Sequence, residues 1–418
     1  MGALGIGLAG NRSLEELEVD AQGLGPSVDL GPFSKGLAQN TTLRVLELHG
    51  CPEGFEGQRA LAEAMRTCGV RRLRLGLDYE LNYFSDHDQE WCSVLGQSLM
   101  HESRVVELDL GAKDPYCERG IITDIGELTS AIRVGALGET LQTLNLQDWY
   151  KLPAESVSAL FQAVRSSTAM RSLNVSGVHA VGRGGVTSLA DLLKANRLTR
   201  LEVNNCAIDD AGAAQLGAAM AQNNTLEYLD VGNNDLGPAG VVALVRGLGR
   251  RSALQHLIFA ETRMHGPLAW WNGGDELDLL LEEEVNFMRR TFFDPRVAET
   301  LAGAIERGAP LVTVDPRGYS LSVEACKILV SAMERSTTGR KYTLRARHVV
   351  QAWDDAGITS LAEVMCHLNG PRAEQHECQT SFEIVGAETV RPSIRGASMI
   401  GVELTAQIVA AGPGRDTR

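Results

Sequence analysis

Nowhere in the 418 residues is there the run of ~18 uninterrupted apolar side chains that a bilayer-crossing helix requires. The opening Met-Gly-Ala-Leu-Gly-Ile has neither the basic start nor the apolar stretch of a secretory signal, and Ile6 stands where a myristoylation signal favours Ser or Thr. Basic residues are in deficit. Lys and Arg number 39 against 53 Asp and Glu, a formal net charge of −14. That balance argues against a general nucleic-acid or anionic-membrane binder, because phosphates are recruited by a Lys/Arg excess. The eight cysteines (Cys51, Cys68, Cys92, Cys117, Cys206, Cys326, Cys366 and Cys378) are scattered without a CxxC pair. A reduced, soluble, cytoplasmic protein is expected, not a disulfide framework.

Sequence signatures of catalysis are also missing. There is no GxxxxGK[ST] phosphate loop, no HExxH helix and no GxSxG nucleophile elbow. The glycine-rich run Gly182-Arg-Gly-Gly185 falls where a repeat helix should open, so a plain turn is expected there. Cys366-His367 and His376-Glu-Cys378 hold four metal-capable side chains, but their CH-x8-HxC spacing matches no familiar zinc site. The expectation is a protein without metal, cofactor or enzymatic activity.

What the chain does contain is a repeat. Leu198, Leu201, Val203, Asn205-Cys206, Ile208, Gly212, Leu216 and Met220 recur as Leu226, Leu229, Val231, Asn233-Asn234, Leu236, Gly240, Leu244 and Leu248, a period of 28. The first three apolar positions alternate as on a strand, with Glu202 and Asn204 directed the other way. Cys206 and Asn234 occupy one slot, where a thiol or amide can satisfy backbone groups of the turn. Helices are expected over 213–221 and 241–248, packed through small residues. Such a unit cannot bury its apolar face alone and must stack. Period, Asn/Cys slot and helical second half together resemble ribonuclease-inhibitor-type leucine-rich repeat proteins, a class that includes the Ran GTPase activators and the repeats of NOD-like receptors.

That resemblance implies an α/β solenoid, a horseshoe with a parallel concave sheet and convex helices, of about ten to twelve repeats that degenerate toward the C-terminus. Further units start at Leu14, Leu43, Val70, Val105, Leu141, Met170 and Leu254. Two are long and carry insertions, at 79–88 (with Tyr79, Tyr83 and Phe84) and at 113–120, where binding is often elaborated, although tolerated surface length explains them equally. Residues 4–11 read as the end of a repeat helix, so the chain is expected to start within a repeat. Regular repeats fill 1–262. An insertion over 263–295 holds Trp270, Trp271 and an amphipathic helix, degenerate repeats follow over 296–367, and 368–418 reads as a cap with a flexible tail.

The outward column of the strands is the candidate site. Taking one position per unit gives Glu18, Glu47, Arg74, Asp109, Asn145, Asn174, Glu202, Asp230 and Ile258, of which five are acidic, so the concave face is mainly acidic. Strands lie ~4.8 Å apart, so Glu18 and Glu47 should repel unless a partner's cation neutralises them. The reading that follows is a non-enzymatic scaffold or regulator. It binds a protein partner with a basic surface on this column, and Tyr228, Trp270 and Trp271 serve as aromatic anchors. Strand-exposed positions are polar in any case, which is the plain alternative. Two other readings are a GTPase activator resembling the Ran activators and the repeat fragment of a NOD-like sensor. The C-terminal end lacks the acidic tail of the Ran activators and no repeat matches their catalytic motif, so no catalytic residue is carried over.

Overall fold

A computed structural model describes residues 1–20, 29–49, 55–76, 87–111, 124–259, 295–315, 323–335, 341–350, 380–383 and 400–409. The chain divides into two compact units, Met1–Ile208 and Asp209–Arg418.

In the first unit seven short strands follow one another in parallel: β1 (Glu16–Asp20), β2 (Val45–His49), β3 (Arg72–Gly76), β4 (Glu107–Asp109), β5 (Thr143–Asn145), β6 (Ser172–Asn174) and β7 (Arg200–Glu202). Their pairing is in register, so Leu46, Leu73, Leu108, Leu144, Leu173 and Leu201 form one row, each at most 1% exposed. Burying each leucine contributes on the order of 1.5–3 kcal/mol, enough to fix the register, since a one-residue slip would turn the whole row to solvent. Each strand from β2 to β7 opens by donating an amide to the preceding unit. Val45 N–H bonds Glu15 O at 3.0 Å, Arg72 N–H bonds Arg44 O at 3.0 Å and Ser172 N–H bonds Gln142 O at 2.9 Å.

Beyond each strand the turn repeats its backbone. The third residue past β5, β6 and β7 has positive φ: Asp148 at 65°, Gly177 at 79° and Asn205 at 51°. Only glycine, or a short polar residue such as Asp or Asn, enters that region readily, which explains the residue types found there. The next position points inward, and where it carries a donor, at Trp149 and Cys206, that donor caps a carbonyl of the preceding unit. Cys206 Sγ lies 3.1 Å from Val175 O, and Trp149 Nε1 donates to Leu110 O at 2.8 Å. The Asn/Cys slot therefore also accepts tryptophan. Cys51 lies outside the described residues.

Helices return the chain along the other side of each unit, among them Ala154–Ser166, which buries Val157, Leu160, Phe161 and Val164. The run Gly182-Arg-Gly-Gly185 departs from the expected plain turn. It lies within a π-helical turn, Val181–Gly185, that leads directly into helix Val186–Lys194. Gly182 N–H donates to Cys206 O at 2.9 Å, and a Cβ on Gly182 would collide with Ala207 O. Glycine is needed because two backbones touch.

In the second unit β8 (Tyr228–Asp230), β9 (His256–Ile258), β10 (Thr313–Asp315) and β11 (Lys341–Val350) pair in parallel order. Helices Asp210–Met220 and Pro238–Arg246 begin three residues earlier than the periodicity suggested. Asp209 caps the first by accepting from Gly212 N–H at 2.8 Å, and Pro238 pre-sets the first turn of the second. Gly217 meets Ala243 O so closely that a side chain would not fit, the small-residue packing the sequence implied. Asn233 (φ 53°) repeats the positive-φ turn, and Asn234 Nδ2 donates to Val231 O at 2.8 Å and Gly232 O at 3.1 Å. Residues 400–409, expected within a cap and flexible tail, form a ten-residue strand, β13 (Ile400–Val409). It lies antiparallel between β11 and β12 (Thr380–Glu383). The expected helix within 263–295 and the insertion aromatics Tyr79, Tyr83 and Phe84 lie outside the described residues, as does the Cys366/His367/His376/Cys378 cluster.

Candidate functional site

Outward side chains of a parallel, in-register sheet must line up, and they do. Glu18, Glu47, Arg74, Asp109, Asn145, Asn174 and Glu202 are consecutive Cα partners across β1 to β7. Beside them run Glu16, Val45, Arg72, Glu107, Thr143, Ser172 and Arg200. In the second unit Asp230 aligns with Ile258 and Asp315, and Tyr228 with His256 and Thr313. Trp270 and Trp271 lie outside the described residues.

The row contains two kinds of side chain. Asp109, Asn145, Asn174 and Asp230 each accept from the backbone N–H two residues on: Gly111 at 3.0 Å, Gln147 at 3.0 Å, Ser176 at 2.9 Å and Gly232 at 2.8 Å. These are Asx turns that end the strands, so their chemistry is partly committed to the fold. Glu18, Glu47, Arg74 and Glu202 make no such turn and extend from the sheet.

Charge on this face is paired within the molecule. Glu18 and Glu47 were expected to need a partner's cation, yet His49 Nε2 lies 3.1 Å from Glu18 and 3.8 Å from Glu47. Arg74 reaches both neighbours, Glu47 at 3.7 Å and Asp109 at 3.4 Å, and Arg72 meets Glu107 at 2.9 Å. Arg200 meets Glu202 at 2.8 Å. Lateral register places His49 of β2 against Glu18 and a basic strand, β3, between acidic ones. Even so, β1 to β7 present seven outward carboxylates (Glu16, Glu18, Asp20, Glu47, Glu107, Asp109, Glu202) against three arginines. Metal-capable atoms of Glu18, Glu47 and His49 lie within 4.8 Å of one another. With Glu18 70% exposed and His49 hydrogen-bonded to it, the trio is accounted for as a hydrogen-bonded cluster. The Tyr228 and His256 rings, 6.0 Å apart and inclined at 40°, make an aromatic pair on the second unit's sheet, where His256 Nδ1 lies 3.0 Å from Thr313 Oγ1.

One group of side chains escaped the sequence reading. Asp148 and His179, in the turns after β5 and β6, are half-buried. Burial pushes the Asp148 carboxyl up, against the hydrogen bond from Gln147 Nε2 at 3.0 Å and the nearby His179. Burial also holds the His179 imidazole below its usual value, helped by Arg183 and opposed by a hydrogen bond to Asn205 and by Asp148. Asp148 was discoverable, because it occupies the positive-φ slot that Gly177, Asn205 and Asn233 occupy elsewhere. His179 carries no such signal.

Residues 196–217 and 222–245 match the family described as Leucine Rich repeat. No curated protein is significantly similar to the chain in sequence. Among solved structures, the leucine-rich repeat-containing protein LegL7 from Legionella pneumophila is 14% identical, with a TM-score of 0.42 over 79% of this chain and 92% of its own. An internalin, InlF, from Listeria monocytogenes is 13% identical, with a TM-score of 0.36 over 73% of this chain and 68% of its own. TLR13 in a complex with ssRNA13 is 17% identical, with a TM-score of 0.38 over 71% of this chain and 31% of its own. None of the three reaches a TM-score of 0.5. The matched stretches coincide with the central repeats, and the same strand, positive-φ turn and helix recur outside them: the chain carries leucine-rich repeats within an α/β fold.

Proposed function

We propose that this protein is a non-enzymatic interaction scaffold or regulator that docks a protein partner on the outward face of its sheet, and that the partner's docking surface is basic. The observation that carries the reading is the surplus of carboxylates in the register rows of β1 to β7, seven against three arginines. Exposed ion pairs contribute little to stability, so the fold itself has little use for this concentration of charge. Facing a partner, such a surface steers encounter and rejects acidic competitors. The Arg72 and Arg74 patch within it supplies register, since a matching surface must offer acid there and base on either side. On the second unit's own sheet, Tyr228 and His256 offer a separate amphipathic aromatic contact of the type that anchors interfaces.

Affinity capture followed by mass spectrometry tests the reading, comparing wild type with the variant Glu47→Lys/Glu202→Lys and with the helix-side control Gln222→Lys. Partners lost from the strand variant, retained by the control and released as salt is raised support it. Partners retained by the strand variant would move the binding surface elsewhere.

A further inference from the structure

Basic side chains are in deficit along the chain, yet the first unit gathers them in one place. The six connections that run from the last turn of a helix to β2, β3, β4, β5, β6 and β7 (residues 36–44, 64–71, 96–106, 131–142, 163–171 and 191–199) hold nine Lys and Arg against three Asp and Glu. Two of the three acids are already taken, Glu102 by Arg66 at 3.9 Å and Asp191 by Lys194 at 3.0 Å. Every connection still offers an arginine with no carboxylate partner among the described residues: Arg44, Arg71, Arg104, Arg133, Arg171 and Arg197. On the sheet the opposite holds. Arg72, Arg74 and Arg200 each meet a carboxylate, at 2.9, 3.4 and 2.8 Å. Parallel strands in register begin along one flank, so the six arginines share it.

Two of them are fixed in place by the backbone. Arg44 Nη1 donates to Thr41 O at 2.9 Å and Gly69 O at 3.0 Å, and Arg171 Nη1 donates to Thr168 O at 3.1 Å and Met170 O at 2.8 Å. One nitrogen thus anchors each guanidinium to its turn, while Nε and Nη2 make no bond among the described residues. A side chain on Gly69 would displace the Arg44 guanidinium. A cation at a helix C-terminus offsets the dipole there, which accounts for Arg133 in the last turn of its helix. It does not account for Arg44, Arg71 and Arg171, which stand immediately before their strands.

We propose that this flank docks an extended segment of a partner protein rich in Asp and Glu. The chemistry of the flank selects that occupant over other polyanions. Eight of its nine cations are arginine, whose planar guanidinium takes a carboxylate through two parallel bonds. The six connections contain no aromatic residue on which a nucleic-acid base could stack. A bilayer or a long nucleic acid would also meet the carboxylates of the adjoining sheet, whereas a short segment can lie along the flank alone, with charge beyond ~8 Å screened by salt. A strand spacing of ~4.8 Å sets the starts of β2 and β7 about 24 Å apart, the reach of about seven extended residues. Flank and sheet face carry opposite charge, so the proposal does not rest on the docking face described above.

The probe is a fluorescein-labelled peptide of eight alternating Glu and Asp residues, titrated with the 418-residue protein at 150 mM salt and read by anisotropy. The expected result is saturable binding that disappears when Gln and Asn replace the acids and weakens about tenfold in Arg71→Gln/Arg104→Gln/Arg133→Gln. These three side chains are exposed, so the variant should unfold at the wild-type urea concentration. The same three changed to Lys keep the charge and lose the paired bonds, and should bind about threefold more weakly than wild type. Glu47→Lys/Glu202→Lys, on the sheet, should bind the peptide no more weakly than wild type. A folded Gln variant that binds like wild type would overturn the proposal. A Lys variant equal to wild type would overturn it in favour of diffuse charge attraction. Tighter binding of a labelled eight-nucleotide oligothymidylate, or of phosphatidylserine vesicles, would assign the flank to nucleic acid or membrane instead. A dimer, seen by sedimentation, that the Gln variant dissolves would place a second copy's acidic face there, and would also overturn it.

Discussion

Replacing Asn234 tests whether the inward turn slot works by hydrogen bonding or by packing. Asn234 is 3% exposed, and its amide donates to Val231 O and Gly232 O. In Asn234→Ala both carbonyls lose this donor in a place water does not reach. A made hydrogen bond is worth about 1 kcal/mol net, and a buried acceptor left without a donor costs about 1–3 kcal/mol, so the variant should lose about 2–3 kcal/mol. That is roughly a hundredfold change in the folded-to-unfolded ratio. In Asn234→Cys, the residue found in the same slot at Cys206, the thiol can reach the turn as Cys206 reaches Val175 O and Asn204 O. It should recover about 1 kcal/mol of the loss. The assay is urea unfolding, combined with hydrogen exchange of the amides around β8 and β9. Stacked repeats contact only their neighbours, so the loss should appear first as faster exchange there. Asn234→Ala within about 0.5 kcal/mol of wild type, or Asn234→Cys no better than Ala, would refute the reasoning.

Gly182→Ala should destabilise by about 1–3 kcal/mol in urea unfolding, because its methyl group meets the Ala207 carbonyl and the backbones must separate. Asp148→Asn should be stabilising at pH 7. The folded state favours the protonated Asp148 carboxyl, so a penalty builds as pH rises above the ordinary value of 3.8, and the advantage of Asn should fade toward that pH in stability-versus-pH curves. For His179 the sign is the reverse in acid. The fold favours the neutral ring, so wild type should lose stability as pH falls below 6.5, and His179→Gln should lose less between pH 7 and pH 5.5. Trp149→Phe should cost about 1–3 kcal/mol by thermal or urea unfolding, since Leu110 O loses the indole donor in a buried site.

Repetition made the strand leucines and their lateral alignment legible, because the apolar strand motif recurs once per unit even where insertions lengthen the unit between one Leu of the Leu46-to-Leu201 row and the next. The outward row Glu18 to Glu202 followed from the same arithmetic and lies in register within the first unit. Roles within that row were not legible, since an Asx turn at Asp109 or Asn174 depends on where the strand stops, which periodicity leaves uncertain by a residue or two. Trp149 was missed because a template that admits Asn or Cys hides the shared property, an inward N–H or S–H donor. The antiparallel β13 was missed for a different reason. Its partner β11 is remote in the chain, and pairing across such a distance leaves no local spacing to read.

The basic strand β3 within the acidic rows changes what the candidate face can select. If every outward position were acidic, the sheet would attract any cationic protein and discriminate among them only by net charge. With Arg74 held between Glu47 and Asp109, and Arg72 against Glu107, a uniformly basic surface must bring a cation against two arginines already in place. A partner that presents an acid at that row and bases on either side avoids the clash. Discrimination therefore arises as much from the repulsive spot as from the attractive surroundings. By this reasoning Arg74→Glu should broaden the set of captured cationic proteins while weakening the specific one, whereas a loss of all binding would mean that Arg74 is an anchor and not a filter.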